Sequence, residues 1–230
     1  MSFGAMPVRS GGQKLAAPVT GVILAGGEGR RMGNVSKSLL LLDDRPIIDH
    51  VVGRFGPQVG RLLINANRDD EGFRAYGVPV VEDPVPNLPG PLAGVLAAME
   101  WMHAQPDRKD RPQWLVSVPA DSPFVPDDLV VRLLTAATEH DAMTACAVRG
   151  GLRSPLFALW SIALRYDLRR QLDAGHRKVS SFQQRHRCVA VPFDEGEADP
   201  FFNINSPEDL ETARRLARDL RNPQASRGTE

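Results

Sequence analysis

Residues 20–37 read TGVILAGGEGRRMGNVSK, an apolar run followed directly by a loop rich in glycine and positive charge. The run TGVIL (residues 20–24) is nearly continuous and β-branched, which is typical of a buried strand in a parallel sheet. Glycines in the loop allow backbone N–H groups to approach an anion closely, and arginine and lysine neutralise its charge. The stretch therefore predicts a strand followed by a phosphate-binding loop.

Two familiar phosphate-loop patterns do not fit this loop. The G-x-G-x-x-G pattern fails because Gly33 follows Gly27 one residue too late. The Walker pattern fails because Ser36 precedes Lys37 where a glycine is required. The remaining interpretation is a long loop whose amides wrap a triphosphate, with Arg31 and Lys37 as charged clamps. A Gly-rich turn without a ligand is the ordinary alternative, since such turns are common after strands.

Short apolar runs alternate with segments of helical period in the first part of the chain. The predicted strands after TGVIL are RLLIN (Arg61–Asn65), VPVV (residues 78–81) and WLVSVP (Trp114–Pro119). The predicted helices, each with proline near its start, are residues 46–55, 91–104 and 126–138. This alternation predicts an α/β fold with a mostly parallel sheet and helices on both faces. Ligands of such sheets bind at the carboxyl ends of the strands, where the Gly-rich loop begins.

The second half of the chain is less regular. DAMTACAVRG and SPLFALW are predicted strands, SIALRYDLRRQLDAG and SPEDLETARRLARDL are predicted helices, and CVAVPF and FFNIN are predicted short strands. Ser206, Pro207 and Glu208 are typical of an N-cap, a first helical position and a first turn, so we expect the last helix to begin there. FFNIN would bring Asn203 and Asn205 to one face of a strand end.

Composition and length exclude several classes of protein. A chain of 230 residues with 42% hydrophobic and 24% charged residues fits one soluble domain, which we expect at residues 20–220 between a flexible leader (1–19) and a flexible tail (221–230). The formal net charge is zero, so no global field favours nucleic acid or a membrane surface. No apolar stretch has the length of a transmembrane helix, and the N-terminal segment lacks the continuous apolar region of a signal peptide, so we expect a cytoplasmic protein. Cys146 and Cys188 stand far apart, so neither a disulfide framework nor a zinc site is indicated.

Three polar residues end predicted strands. Asp121 ends a buried strand before a Pro-rich turn, where a carboxylate could hold Mg²⁺ against phosphate oxygens, although a turn or cap aspartate is the commoner role. Asn65 and Asp83 could also be turn residues. At the carboxyl edge of the same sheet, however, they would converge on the base and ribose of a bound nucleotide.

Three further features have both a functional and an ordinary interpretation. GPLAG (residues 90–94) ends in Gly94, and its small residues either permit close backbone approach or simply start a helix. Asn203 and Asn205 belong either to a structural hydrogen-bond network or to a ligand site. The basic run GHRK (residues 175–178) could bind an acidic phosphate or form a solvated helix edge.

Five ordered motifs resemble those of the molybdenum cofactor guanylyltransferases. The first is LAGG-x-x-x-R-M-G-x-x-x-K in the Gly-rich loop, and the others are LLINANR (residues 62–68), VVEDPVPNLPGPLAGVLAAM (80–99), SVPADSPFVP (117–126) and NINSPEDL (203–210). Together they extend the resemblance from about residue 20 to residue 216, and their shared order is stronger than any single motif. The family often carries Asp where this chain has Ser36, which could alter the orientation of Lys37 without removing the clamp.

The resemblance implies a fold, a reaction and a set of site residues. The fold would be a three-layer, Rossmann-like nucleotidyltransferase domain. The reaction would transfer GMP from Mg·GTP to the terminal phosphate of molybdopterin carrying molybdenum, with release of pyrophosphate; Mn²⁺ could replace Mg²⁺. The catalytic residues implied are Arg31, Lys37 and Asp121, with Asp121 also as the metal ligand. The binding residues implied are Leu24, Ala25, Gly26, Gly27, Lys37, Asn65, Asp83, Gly94, Asp121, Asn203 and Asn205.

The resemblance also bears on partners and on competing functions. It implies transient contacts with proteins that deliver molybdopterin and that mature molybdoenzymes, and neither a nucleic-acid nor a membrane partner. The alternatives are a cytidylyltransferase for the same cofactor, a nucleotidyltransferase acting on sugar phosphates, and a catalytically idle nucleotide-binding module. LAGG leaves more room for a purine than the LAAG typical of the cytidylyltransferases, and retention of Lys37 with Asp121 argues against the idle module.

Overall fold

The computed structural model describes residues 19–26, 37–67, 71–84, 90–106, 112–194 and 199–221. The strands in this part of the chain are β1 (Val19–Leu24), β2 (Leu41–Leu42), β3 (Arg45–Pro46), β4 (Arg61–Asn65), β5 (Val80–Val81), β6 (Trp114–Pro119), β7 (Thr144–Arg149), β8 (Leu152–Ser161) and β9 (Val189–Pro192). The helices are α1 (Ile47–Phe55), α2 (Glu71–Arg74), α3 (Pro91–Ala104), α4 (Leu129–Glu139), α5 (Arg165–Asp173), α6 (Val179–Arg185) and α7 (Pro207–Arg221). Short 3₁₀ turns lie at Lys37–Leu39, Gly56–Gln58 and Ile162–Leu164.

Seven strands form one sheet in the order β5-β4-β1-β6-β8-β7-β9. β1 pairs in parallel with β4 and β6, β4 with β5, and β7 with β9. Only β8 runs against its neighbours in the described sheet, since it is antiparallel to both β6 and β7. β2 and β3 form a separate antiparallel hairpin. The predicted mostly parallel sheet is therefore confirmed.

Helices cover both faces of this sheet. Successive residues of β1 point to opposite faces, with Ile23 packed among side chains of α1 and α4 and Val22 among those of α3, α5 and α6. Phe55 of α1 and Trp160 of β8 are both fully buried, one in each layer of core. The three layers follow from the nearly continuous apolar strands, because a strand buried on both faces needs helices on both sides. The predicted three-layer α/β fold class is confirmed.

A third, smaller core joins the end of the chain to the hairpin. Leu42, Phe124, Ile204 and Ala213 are buried together there. Through this cluster α7 packs against β2 and against the turn that follows β6. The segment before α7 is thereby brought to the carboxyl edge of the large sheet, where the backbone N–H of Ile204 donates to the carbonyl of Asp121 at 3.0 Å.

The start of α7 agrees with its sequence signature. The backbone N–H of Asp209 donates to Oγ of Ser206 at 3.2 Å, and the Asp209 carboxylate accepts from the backbone N–H of Ser206 at 2.9 Å. These reciprocal bonds form a capping box. The predicted N-cap at Ser206 is confirmed.

One predicted strand is absent, and one predicted helix begins later than predicted. FFNIN is not a strand, since residues 202–205 have no regular secondary structure. Its backbone bonds instead to the turn after β6 through Ile204, and Phe201 N–H donates to the side chain of Asp199 at 2.9 Å. α4 begins at Leu129 rather than Pro126. The carbonyl of Val125 accepts a hydrogen bond from Nε of Arg54 in α1 at 2.6 Å, and the carbonyl of Pro126 accepts one from Nε2 of Gln58 in the 3₁₀ turn at 2.7 Å. These bonds hold the segment as a turn.

Three elements were not predicted, and one helix is shorter than predicted. The hairpin β2–β3, α2 and α6 are too short for hydrophobic periodicity to mark them. SIALRYDLRRQLDAG begins as the end of β8, because Ser161 still pairs with Trp114, and the α-helix starts only at Arg165. No helix among the described residues is long and apolar enough to cross a membrane.

Candidate active site

The carboxyl ends of four strands form one edge of the sheet, and most of the predicted site residues lie along it. In the strand register Leu24 stands beside Asn65 on one side and Pro119 on the other. The edge continues past the strands, since Ala25 N–H donates to the Asn65 carbonyl at 2.8 Å. The start of the Gly-rich loop, Ala25 and Gly26, therefore lies at the strand ends, as the parallel sheet requires.

Asn65, Asn67 and Asp83 form a hydrogen-bond network at this edge. Asn65 is 2% exposed, and its Nδ2 donates to the carbonyl of Val81 at 3.1 Å and to Oδ1 of Asp83 at 3.0 Å. Nδ2 of Asn67 donates to the other Asp83 oxygen, Oδ2, at 2.5 Å, and Asn67 Oδ1 accepts from the Asp83 backbone N–H at 2.9 Å. Two amide side chains thus hold one carboxylate. Both N–H groups of Asn65 are engaged in these bonds. The Asn65 side chain could therefore contact a ligand only by accepting a hydrogen bond at Oδ1.

Sequence reasoning passed over Asn67. The signal that could have found it is the period of two, because Asn65 and Asn67 project to the same face at the end of β4. An exposed Asn after a strand is indistinguishable from a turn residue without its partner Asp83, which lies sixteen residues further on.

The close contacts around Asn65 explain two glycines. A Cβ added to Gly94 would lie 2.1 Å from Oδ1 of Asn65 and 2.9 Å from Cδ2 of Leu24, which no side chain could tolerate without displacement. A Cβ at Gly26 would lie 3.1 Å from the same Oδ1. The first turn of α3 and the start of the Gly-rich loop therefore both press against the Asn65 amide. The small residues predicted to allow close approach do so here toward a side chain of the protein itself.

Asp121, Lys37 and Asn205 form a second cluster on the same edge, at the end of β6. Nζ of Lys37 donates to Oδ1 of Asn205 at 3.3 Å. Asp121 is mostly buried; burial raises the pKa of its carboxyl group, and its own backbone N–H and the charge of Lys37 oppose that rise. Oδ1 of Asn203 is buried and has no hydrogen-bond partner within the described part of the chain. Asn203, Asn205 and Asp121 thus lie in one region of the fold, although the two asparagines do not lie on the predicted strand.

This second cluster has the donors that a hard divalent cation takes. A buried carboxyl group with a raised pKa gains from a nearby positive charge, and an unpartnered amide oxygen can act as a ligand. The described residues contain no group of three or more His, Cys, Asp and Glu side chains that could hold a metal ion alone. Few protein ligands are typical of Mg²⁺, which keeps several waters and is completed by phosphate oxygens of a substrate.

Two of the predicted site residues lie outside the described residues. These are Gly27 and Arg31, together with Ser36, the position at which the chain departs from the family pattern. Their roles remain predictions.

A pocket rich in basic side chains lies on the other side of the first turn of α3. Its lining consists of Leu92, Gln171, His176, Arg177, Lys178, Ser181, Phe182 and Arg185. His176, Arg177 and Lys178 of the basic run therefore line a concave surface together with residues of α5 and α6. Phe182 and Leu92 supply an apolar floor, and Arg185 donates to Oε1 of Gln171 across the pocket.

The fold and the edge it presents define a nucleotidyltransferase of the three-layer α/β type. Residues 21–191 match the family model described as the MobA-like NTP transferase domain, and the chain belongs to this family. The resemblance drawn from the five motifs is confirmed.

Named relatives and solved structures agree with this family. A protein from Mesorhizobium japonicum named molybdenum cofactor guanylyltransferase is 44% identical over 206 residues, which cover 88% of this chain and 97% of the relative. The crystal structure of molybdopterin-guanine dinucleotide biosynthesis protein A from Archaeoglobus fulgidus has a TM-score of 0.69 at 23% identity, covering 87% of this chain and 99% of that one. The Rv0371C protein of Mycobacterium tuberculosis, crystallised in complex with manganese, has a TM-score of 0.62 at 18% identity, with coverage of 87% and 99%. At these identities the two structures show the fold alone.

Proposed function

We propose that this protein transfers GMP from GTP to the terminal phosphate of molybdopterin carrying molybdenum, and so forms the guanine dinucleotide form of the cofactor and releases pyrophosphate. The observation that carries this proposal is the meeting of Lys37, Asp121 and Asn205 at the carboxyl edge of the sheet. It occurs in a chain 44% identical to a molybdenum cofactor guanylyltransferase along nearly the whole length of that relative.

The chemistry asks little of the protein beyond position and charge. The attacking group, a phosphate, is already an anion, so no serine, cysteine or histidine base is required. The enzyme has to align this phosphate with the α-phosphorus of GTP and neutralise the charge that grows on the pyrophosphate. Lys37 would supply positive charge from the end of the Gly-rich loop, and Asn205 would hold its ammonium group in place.

A divalent cation fits the second cluster. Asp121 would bind it. Asn203 and Asn205 flank Ile204, whose backbone N–H bonds to the Asp121 carbonyl, and we propose that the unpartnered Oδ1 of Asn203 or the amide of Asn205 assists. When bound, the cation neutralises charge on the phosphates of GTP. Mg²⁺ is the proposed ion, and the manganese complex of the Mycobacterium tuberculosis protein supports a divalent metal in this fold.

The Asn65–Asp83 network supports a role in selecting the nucleotide. Guanine has donors at N1 and N2 and an acceptor at O6, which the Asp83 carboxylate, Oδ1 of Asn65 and the backbone of residues 24–26 could complement. A base that leaves such buried groups unpaired is strongly rejected. We therefore propose GTP rather than CTP as the donor.

The basic pocket supports an acidic acceptor. Leu92, which lines this pocket, lies two residues before Gly94 in the first turn of α3. Cationic side chains over an apolar floor suit a phosphate carried on a flat ring. Delivery of molybdopterin by another protein, transfer of the product to molybdoenzyme maturation proteins, and a cytoplasmic location remain predictions from the sequence.

One experiment tests the proposal against its alternatives. The protein is incubated with molybdopterin, Mg²⁺ and GTP, CTP, ATP or UTP, and the dinucleotide product and pyrophosphate are measured. We expect product with GTP. Product mainly with CTP would indicate the cytidylyl branch. Pyrophosphate release only when a sugar phosphate replaces molybdopterin would indicate a nucleotidyltransferase acting on sugar phosphates, and nucleotide binding without pyrophosphate release would indicate an idle module. Asp121→Asn serves as the inactive control.

A further inference from the structure

Asn67 has an unusual relation to Asp83, because its one side chain both donates to the carboxylate and accepts from the backbone of the same residue. The two bonds measure 2.5 Å, from Nδ2 to Oδ2, and 2.9 Å, from the Asp83 N–H to Oδ1. We propose that Asn67 is a positioning residue, which fixes the Asp83 carboxylate in the orientation that binds the nucleotide. This inference rests on the proposed function.

The bonding of the carboxylate shows what Asn67 contributes. Asn65 holds Oδ1 and Asn67 holds Oδ2, so the two oxygens are fixed independently. A carboxylate accepts about four hydrogen bonds, and each oxygen therefore keeps capacity for an N–H or O–H of a ligand. Without Asn67, one bond from Asn65 would remain, and the carboxylate could turn about that single contact.

An asparagine is the side chain that meets both demands at this position. Alanine offers neither a donor nor an acceptor, and aspartate would place a second negative charge against the Asp83 carboxylate. Asn67 also lies near the bound ligand's expected place, since a Cβ at Gly26 would be 3.7 Å from its Nδ2. The amide therefore lies between the start of the Gly-rich loop and Asp83.

The exposure of the two asparagines separates positioning from folding. Asn65 is 2% exposed and contacts β5 and α3, so its replacement would also disturb the core. Asn67 is exposed, and its described side-chain bonds are those to Asp83. Asn67→Ala should therefore leave the unfolding temperature nearly unchanged while it alters the binding of GTP.

The test is a double-mutant cycle on GTP binding. The dissociation constant of Mg·GTP is measured by calorimetry, without acceptor, for the unmodified protein, Asn67→Ala, Asp83→Ala and the double variant. We expect Asn67→Ala to weaken binding about tenfold, as expected for a hydrogen bond to a charged group. In the Asp83→Ala background the same change should cost less than about twofold, because Asn67 would act through Asp83. Asn67→Asp should weaken binding more than Asn67→Ala, and in turnover Asn67→Ala should raise KM for GTP more than it lowers kcat.

Three results would overturn the role of Asn67. One is an unchanged GTP affinity in folded Asn67→Ala. Another is an equal loss with and without Asp83, which would mean that Asn67 touches the nucleotide directly. The third is a loss of affinity that merely follows a lowered unfolding temperature. Failure of the unmodified protein to bind GTP would instead contradict the proposed function, so the two ideas fail by different measurements.

Discussion

Gly94 gives the most direct test of how the site is built. A Cβ at this position would lie 2.1 Å from Oδ1 and 2.7 Å from Cγ of Asn65, and 2.9 Å from Cδ2 of Leu24. Asn65 cannot simply move away, because it is buried and bonded to Val81 and Asp83. Gly94→Ala should therefore displace the Asn65 amide, and the Asp83 carboxylate with it.

The size of the effect follows from three contributions. Forcing a methyl group into a packed site costs about 1–3 kcal/mol. Losing the hydrogen bond from Asn65 to the charged Asp83 costs about 1.5–3 kcal/mol. Alanine in a helix regains about 1 kcal/mol relative to glycine. The net loss in the free energy of unfolding is therefore about 1.5–5 kcal/mol, which for a domain of this size lowers the unfolding temperature by about 3–20 °C.

Gly53 provides a matched control for this substitution. It lies in helix α1, is exposed, and a Cβ there would meet nothing within 4 Å. Gly53→Ala should therefore raise the unfolding temperature slightly, by about 2–4 °C, through helix propensity alone. The same chemical change should thus have opposite signs at the two positions, and only Gly94→Ala should weaken GTP binding. If Gly94→Ala had the same unfolding temperature and the same GTP affinity as the unmodified protein, the contact between α3 and Asn65 would be refuted.

Three further predictions concern catalysis. Lys37→Ala should lower kcat/KM by about ten- to hundredfold with little effect on unfolding, because it would remove the proposed charged contact to phosphate. An unchanged rate in the folded variant would exclude this role of Lys37. Asp121→Asn should abolish most turnover, and a raised Mg²⁺ concentration should restore it only in part. Turnover equal to that of the unmodified protein at the same Mg²⁺ concentration would indicate that Asp121 is only a turn residue. The kcat/KM for GTP should exceed that for CTP by about a thousandfold or more. Gly26→Ala would place a Cβ 3.1 Å from Oδ1 of Asn65, and it should lower this ratio more than it lowers turnover at saturating GTP. Equal use of CTP by the unmodified protein would contradict the guanylyl assignment.

The parts of the fold that the sequence predicted are those determined locally. β4, β6 and α3 begin and end at the predicted residues, because their apolar runs are long and bounded by glycine, proline or polar residues. α6 has only seven residues and leaves no such pattern. FFNIN has the alternation of a strand, but the carbonyl of Asp121, more than eighty positions earlier, takes the N–H of Ile204. Strand propensity is read from the local sequence, so it takes no account of a hydrogen-bond partner that only the tertiary fold brings close.

The same distinction applies to the site. Leu24, Asn65 and Asp121 could be placed together from the sequence, because Leu24 and Asn65 end strands, Asp121 closely follows the strand that ends at Pro119, and parallel strands share a carboxyl edge. The reciprocal bonds of Asn67 could not be foreseen, since they depend on the path of the chain between β4 and Asp83. Nor could the sequence show that Gly94 presses on a side chain rather than on a ligand.

The segment before α7 belongs to the candidate site together with the strand ends. Lys37 follows the Gly-rich loop, yet its ammonium group bonds to Asn205, 168 residues later. Asn205 is fixed in turn, because its backbone N–H donates to the Asp209 carboxylate of the α7 capping box at 2.8 Å. That bond lowers the pKa of Asp209, and the charge of Lys37 lowers it further, so both interactions favour the ionised carboxylate. The cap of α7 therefore fixes the backbone of Asn205, whose amide accepts from Lys37, and the NINSPED segment joins a helix start to the proposed substrate-binding edge.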